Sequence, residues 1–292
     1  MSDGHRHSHK PTQGNESKLA IAVVLTGSFM LVEVAGGLLS GSLALLADAG
    51  HMLTDFSSLA LAWFALRIAK KPATWKRSYG FDRFSVLAAF INGLALFLIA
   101  TWICWEAYQR FRSPAEILGG LMFWVAVAGL AVNIVAFWVL SRGETGNLNV
   151  RAAALHVMGD LLGSVGAIAA SITIMTTGWT PADPLLSVLV ALIILHAAWR
   201  IIKESGHILL EGAPQNLDSR NISDALTANI PGVVKVGHIH AWSITEERPM
   251  LTMEVEISAE VDVQTARAEI KRFLQREFGV SHATIEICEK GI

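Results

Sequence analysis

The pattern His-x-x-x-Asp occurs twice in this chain, each time inside a strongly apolar stretch, at positions about 100 residues apart. His51 and Asp55 lie in ALLADAGHMLTDFSSLALAWFAL, and His156 and Asp160 lie in VRAAALHVMGDLLGSVGAIAASI. A spacing of four puts both side chains on one face of a helix. Ionisable groups at membrane depth are costly and mark paths for ions or protons. Two imidazoles and two carboxylates form a four-ligand set that suits Zn2+. Without a cation between them, the two carboxylates would repel each other and desolvate badly. The pairs therefore predict one shared site for a divalent metal that crosses the membrane. Asp48, three residues before His51, is on the same face; it extends the site, lines its access path, caps a helix or makes an interfacial hydrogen bond. Gly50, Gly159 and Gly163 flank the pairs, and small residues let helices approach closely.

The elements that carry these residues are membrane helices. Of 292 residues, 52% are hydrophobic and only 16% are charged, against about 25% charged in soluble chains. A span needs roughly 20 mostly apolar residues. Six stretches qualify: 18–39, 43–68, 84–109, 117–140, 150–177 and 184–204. Breakers separate them: SGS at 40–42, Lys71-Pro72, Ser113-Pro114, SRGETGN at 141–147 and Gly178 to Pro184. Lys and Arg crowd the segments before span one, between spans two and three, between four and five, and after six. By the positive-inside rule both termini face the cytoplasm. Arg110 and Arg112 alone run against that pattern. The polar start, MSDGHRHSHKPTQGNES, lacks the apolar core of a signal peptide. Cys104 and Cys288 lie in different regions, so no disulfide is expected.

Residues 1–17 read as a disordered, His-containing tail, 18–211 as an all-α membrane domain, and 212–292 as a small α+β cytoplasmic domain. In the last, 219–230 reads as a helix that Pro231-Gly232 ends. VVKVGHIHAWSI and MLTMEVEIS read as strands around a TEERP turn. DVQTARAEIKRFLQREFG is a helix ending at Gly279, and HATIEICE is a third strand. The order αββαβ implies two helices on one sheet face. Domains this small often gain stability from a dimer interface or a metal.

The absence of HExxH argues against a membrane metalloprotease. No Walker A pattern is present, so an ion gradient is the expected energy source. Histidine titrates near physiological pH, and protons compete with metal for imidazole and carboxylate. This favours metal/proton antiport. The alternative is a membrane zinc sensor that binds metal without moving it. Neither enzymatic activity nor a nucleic-acid partner is expected.

GGLLSGSLALLADAGHMLTD, YGFDRFSVLAAFINGL and ALHVMGDLLGSVG, followed by the αββαβ tail, resemble the cation diffusion facilitator family over essentially the whole chain. The resemblance implies six spans, cytoplasmic termini, a ferredoxin-like cytoplasmic domain and a homodimer in the bacterial inner membrane. It also implies export of Zn2+, with Cd2+ and related divalent ions as further cargo, in exchange for protons. The family site, built from spans two and five, maps onto His51, Asp55, His156 and Asp160. There are departures. The connection SRGETGNLN has no histidine, whereas the N-terminal HRHSH offers His5, His7 and His9 either as zinc-catching ligands or as a plain polar tail. Asp82 stands in YGFDR where zinc members often carry His; it forms a weak metal site or a salt bridge to Arg83 or Arg77. In the tail, His238, His240 and Trp242 alternate on one strand, Glu254 and Glu256 on the next, and Glu286 and Cys288 on the last, after His282. By position Glu254, Glu286 and Cys288 fall where the family places regulatory ligands, while the first such ligand falls on Gly237. Glu33, Asn92, Glu106 and Asn133 either line the access path or bond between helices.

Overall fold

The computed structural model describes residues 13–68, 74–141, 148–245 and 248–289. Six long helices come first: α1 Gln13–Ser40, α2 Leu43–Ile68, α3 Asp82–Arg112, α4 Gly119–Ser141, α5 Leu148–Thr177 and α6 Ala182–Leu209. They are followed by α7 Ser219–Asn229, β1 Val233–Ser243, β2 Pro249–Ile257, α8 Val263–Phe278 and β3 His282–Glu289. Helices α1, α3 and α6 run past the apolar stretches expected of them. Their polar ends continue the backbone ladder where hydropathy no longer reports it. Among the described residues, Val23–Ser40, Asp82–Arg112, Asp160–Thr177 and Ala182–Leu209 are long and apolar enough to cross a bilayer, and Gly119–Val135 is a shorter apolar helix. Helix α2, which carries Asp48, His51 and Asp55, is not among the four.

The chain divides into two compact units. The first comprises Met1–Leu66 and Ile91–Arg200. Within it α2 is packed on two sides. Ala44 and Leu45 join Met122 and Ala126 of α4 and Ala167, Ala170 and Ile174 of α5. Ala47 joins Leu96, Ala100 and Ile103 of α3 and Ala191, Ile194 and Ala198 of α6. Alanine dominates both contacts, and small side chains let helix backbones approach in lipid, where no hydrophobic effect pulls them together. At the α1–α4 contact, a Cβ on Gly36 would sit 2.7 Å from Val125 Cγ2, so only glycine fits. Large apolar side chains, including Leu38, Leu39, Leu98, Trp105, Leu162 and Leu189, point outward and are more than half exposed. A water-soluble surface rarely carries so much apolar area; a lipid-facing one requires it.

The α1–α2 corner turns at Gly41, where φ is +73°. The first turn of α2 is capped from another helix. Asp183 of α6 accepts from Ser42 Oγ (2.5 Å), Leu43 N (2.8 Å) and Ala44 N (3.1 Å). Arg110 of α3 donates to the Gly41 carbonyl, pairs with Glu106 at 3.1 Å and lies 4.0 Å from Asp183. These contacts account for one of the two arginines that broke the charge pattern: Arg110 is committed to a buried polar knot.

The second unit comprises Arg67–Phe90 and Ile201–Ile292. Its sheet has the order β1-β2-β3, with β2 antiparallel to β1 and parallel to β3. Ile222 and Leu226 of α7 and Ile270 and Leu274 of α8 bury against Leu251, Met253, Val255 and Ile257 of the central strand. Asp218 and Asp262 cap α7 and α8, and Gly279 ends α8 at φ +70°. In the same unit two neighbouring residues at the start of α3 hold separate partners: Arg83 donates to Glu211 (3.0 Å) and Asp82 accepts from Arg248 (2.5 Å). The expected bridge from Asp82 to Arg83 or Arg77 does not form. Arg83 is engaged with Glu211, and Arg77 lies over the Phe81 ring.

Candidate metal site

His51 and Asp55 lie one turn apart on α2, and Asp160 comes from α5. Their ligand atoms all lie within 4.8 Å of one another, making the one such group found among the described residues. His51 Nε2 is 3.2 Å from Asp160 Oδ1. Zinc–nitrogen and zinc–oxygen bonds near 2.1 Å put neighbouring tetrahedral ligands about 3.4 Å apart. The His51–Asp160 separation is therefore already that of two ligands on one ion. The site is half-buried, with His51 31% and Asp160 18% exposed, so it is shielded yet reachable by an ion. His156 lies on α5 one turn before Asp160; its side chain is outside the described residues, as is that of Gly159. A Cβ at Gly50 or Gly163 would meet its nearest neighbours at 3.6–3.7 Å, ordinary contact. The convergence of the two helices therefore comes from the alanine contacts and not from these glycines.

Asp48 is not among the three converging groups. Its carboxyl faces that of Glu33 on α1. Asn92 accepts from Ser57 Oγ of α2 at 3.0 Å, and Asn133 donates to Ser164 Oγ of α5 at 3.4 Å. With Glu106 on Arg110, three of the four polar span residues named from the sequence bond within or between helices. The capping role of Asp183 escaped the sequence reading. The available signal was a carboxylate in the short ADP segment opening the sixth apolar run, but its target is remote in sequence.

In the tail, Gly237, Glu254 and Glu286 stand in one row across the sheet, with Glu256 opposite Cys288. The simple alternation expected of β1 is broken by a bulge between Gly237 and His240, where His238 adopts φ +49°. His238 Nδ1 lies 2.7 Å from Glu254 Oε1, and the His238 and His240 rings meet edge to face at 4.9 Å. Glu286 and Cys288 are exposed on β3. Among the described residues, these tail side chains do not converge as a three-ligand group in one protomer. The N-terminal His5, His7 and His9 lie outside the described residues.

Two families account for almost the whole chain: the cation efflux transmembrane domain matches residues 19–210, and the cation efflux protein cytoplasmic domain matches residues 214–290. The chain belongs to the cation efflux family. This is a family of membrane metal transporters, and its cytoplasmic domain is described as a dimer-forming one. Among cation efflux proteins, zinc transporter ZitB of Escherichia coli (strain K12) is 49% identical over 287 residues, covering 98% of this chain and 91% of that protein. The metal cation efflux system protein CzcD of Cupriavidus metallidurans is 43% identical, covering 98% and 90%. A cadmium, cobalt and zinc/H(+)-K(+) antiporter of Bacillus velezensis is 39% identical, covering 97% and 91%.

Proposed function

We propose that this cation efflux protein exports Zn2+ from the cytoplasm in exchange for protons. The observation that carries the reading is the convergence of His51, Asp55 and Asp160 from two helices at ligand spacing. His156, one turn from Asp160, completes a tetrahedral set. The metal is the cargo, so the site must both bind and release it. Two neutral imidazoles and two carboxylates balance the charge of a dication, and incoming protons displace it by taking the same lone pairs. Because the ligands come from α2 and α5, a small relative movement of those helices opens the site alternately to either side. The names of the relatives, zinc transporter and cadmium, cobalt and zinc antiporter among them, support the cargo and the exchange.

In this reading all six long helices span the bacterial inner membrane, both termini are cytoplasmic, and residues 212–292 form a ferredoxin-like domain through which two copies pair. The tail residues His238, His240, Glu254, Glu286 and Cys288 would bind regulatory metal only if the second copy supplied the missing ligands.

Inside-out vesicles loaded with a zinc dye test the function. The native chain should accumulate zinc with proton counterflow, and Asp160→Ala should abolish uptake. Zinc binding without uptake by the native chain would instead identify a sensor. Normal uptake by Asp160→Ala would refute the site.

A further inference from the structure

Between α2 and α3 the chain makes a closed two-residue turn. Thr74 N donates to the Arg77 carbonyl (3.1 Å) and Arg77 N donates to the Thr74 carbonyl (2.9 Å), which puts Trp75 and Lys76 at the tip. Trp75 is 90% exposed, the highest value among the large apolar side chains of the described residues. An indole suits a boundary where one end of the ring is apolar and the other wet. The turn is fixed by backbone bonds, so the ring is already presented and little ordering is left for a binding partner to impose.

The same segment is strongly cationic. From Arg67 to Arg83 it carries six lysines and arginines against one acid, Asp82. Asp82 is taken by Arg248. Among the described residues no carboxylate pairs with Lys76 or Arg77. Both lie against rings instead: Lys76 Nζ is 5.0 Å from the centre of the Trp75 ring, and the Arg77 guanidinium is 4.3 Å from that of Phe81. Stacking occupies the face of a guanidinium and leaves its edge donors for an oxyanion such as phosphate. Helix α3, which begins at Asp82, is long and apolar enough to cross a bilayer. The turn therefore stands just before a span. Tryptophan and tyrosine collect at the membrane–water boundary, and cations beside a span attract anionic headgroups. Tyr79, 40% exposed, adds a second amphipathic ring.

We propose that the Trp75–Lys76 turn is a docking site for anionic phospholipid: the Trp75 indole enters the headgroup boundary while Lys76 and Arg77 hold the phosphate of one lipid. The ring supplies apolar area, and the two cations supply the preference for an anionic over a zwitterionic headgroup. Tyr79 and Asp82 of the same segment contact Arg248 of the tail, so a bound lipid also steadies the segment on which Arg248 rests. This docking is independent of what the protein carries and does not rest on the exchange of zinc for protons.

The full-length chain in lipid nanodiscs tests the site. Brominated phosphatidylglycerol is diluted into phosphatidylcholine, and quenching of tryptophan emission is followed against its mole fraction. The difference between the native chain and Trp75→Phe isolates Trp75 from the other tryptophans. Trp75 should emit to the blue of water-exposed indole and should be quenched at low mole fraction, whereas brominated phosphatidylcholine at the same fraction should quench it less. Lys76→Gln and Arg77→Gln should each weaken the anionic association about fivefold, and Lys76→Arg should retain it. The backbone bonds of the turn survive in all three. Trp75 emission that lipid neither shifts nor quenches overturns the proposal. So does equal quenching by the two lipids, or an anionic preference that survives both glutamine variants. Displacement by inorganic phosphate beyond that by chloride at equal ionic strength would show a soluble-anion site, and Trp75 emission already shielded in lipid-free detergent would show a protein contact; either result overturns lipid docking.

Discussion

Replacing Asp183 with alanine should destabilise the helix bundle through a helix that Asp183 does not belong to. The substitution removes the acceptor for Ser42 Oγ, Leu43 N and Ala44 N, all in residues that are at most 3% exposed. Each buried donor left without a partner costs about 1–3 kcal/mol. Ser42 Oγ still accepts from Leu45 N at 3.2 Å, but its own O–H is left without an acceptor. Arg110, 4.0 Å from the lost carboxylate, keeps Glu106 and the Gly41 carbonyl. The net expectation is about 3–5 kcal/mol, the usual cost of breaking a buried charged pair from one side. For a unit of this size that lowers the melting temperature on the order of 10 °C. Asp183→Asn keeps one carbonyl acceptor and should lose less than half as much. The assay is thermal unfolding in detergent, read by tryptophan emission, for Asp183→Ala, Ser42→Ala and the double variant. Because Ser42 and Asp183 share one bond, the double variant should fall short of the sum by on the order of 1–2 kcal/mol. Additive losses, or an Asp183→Ala protein as stable as Asp183→Asn, would refute the trans-cap argument.

Three further outcomes are expected. Gly232→Ala should cost about 1–3 kcal/mol in the stability of the tail, because Gly232 holds φ +85° and a Cβ there would sit 2.3 Å from Val261 Cγ2; local hydrogen exchange in the full chain reads it. The side-chain and backbone bonds from Thr265 hold the Asp262 carboxyl below the usual aspartate range. Its contribution to α8 should thus be complete above the ordinary aspartate pKa and fade as pH falls through the lowered one; exchange protection of the first turn of α8 should drop in acid for the native chain and stay flat for Asp262→Asn. Arg248→Ala should cost no more than about 1 kcal/mol, since Arg248 and Asp82 are 45% and 41% exposed, and the loss should shrink as salt is raised.

Local chemistry was legible in the sequence wherever the partners were close. The i,i+4 spacing marked His51 and Asp55, and the matching motif marked Asp160. Gly232 and Gly279 placed the C-terminal ends of the two tail helices to within a residue or two, because left-handed turns are written in the residues that make them. The unread features were non-local. Asp183 caps a helix 140 residues earlier, and Asp82 finds Arg248 166 residues later. No periodicity encodes such pairs. The bulge at His238 was hidden for another reason: an extra residue in a strand preserves the composition while shifting the register.

The remote cap also imposes an order on synthesis. At about 5–20 residues per second, the 140 residues between Leu43 and Asp183 take roughly 7–30 s to make. For that interval the amides opening α2 have no carboxylate to receive them, although α1 and α2 have already left the ribosome. The helix that carries half of the proposed metal ligands is therefore the second to be made and among the last to be fastened. A nascent chain halted before α6 would hold every proposed metal ligand yet lack the group that fixes the helix bearing two of them, so α6 acts as the closing step of assembly.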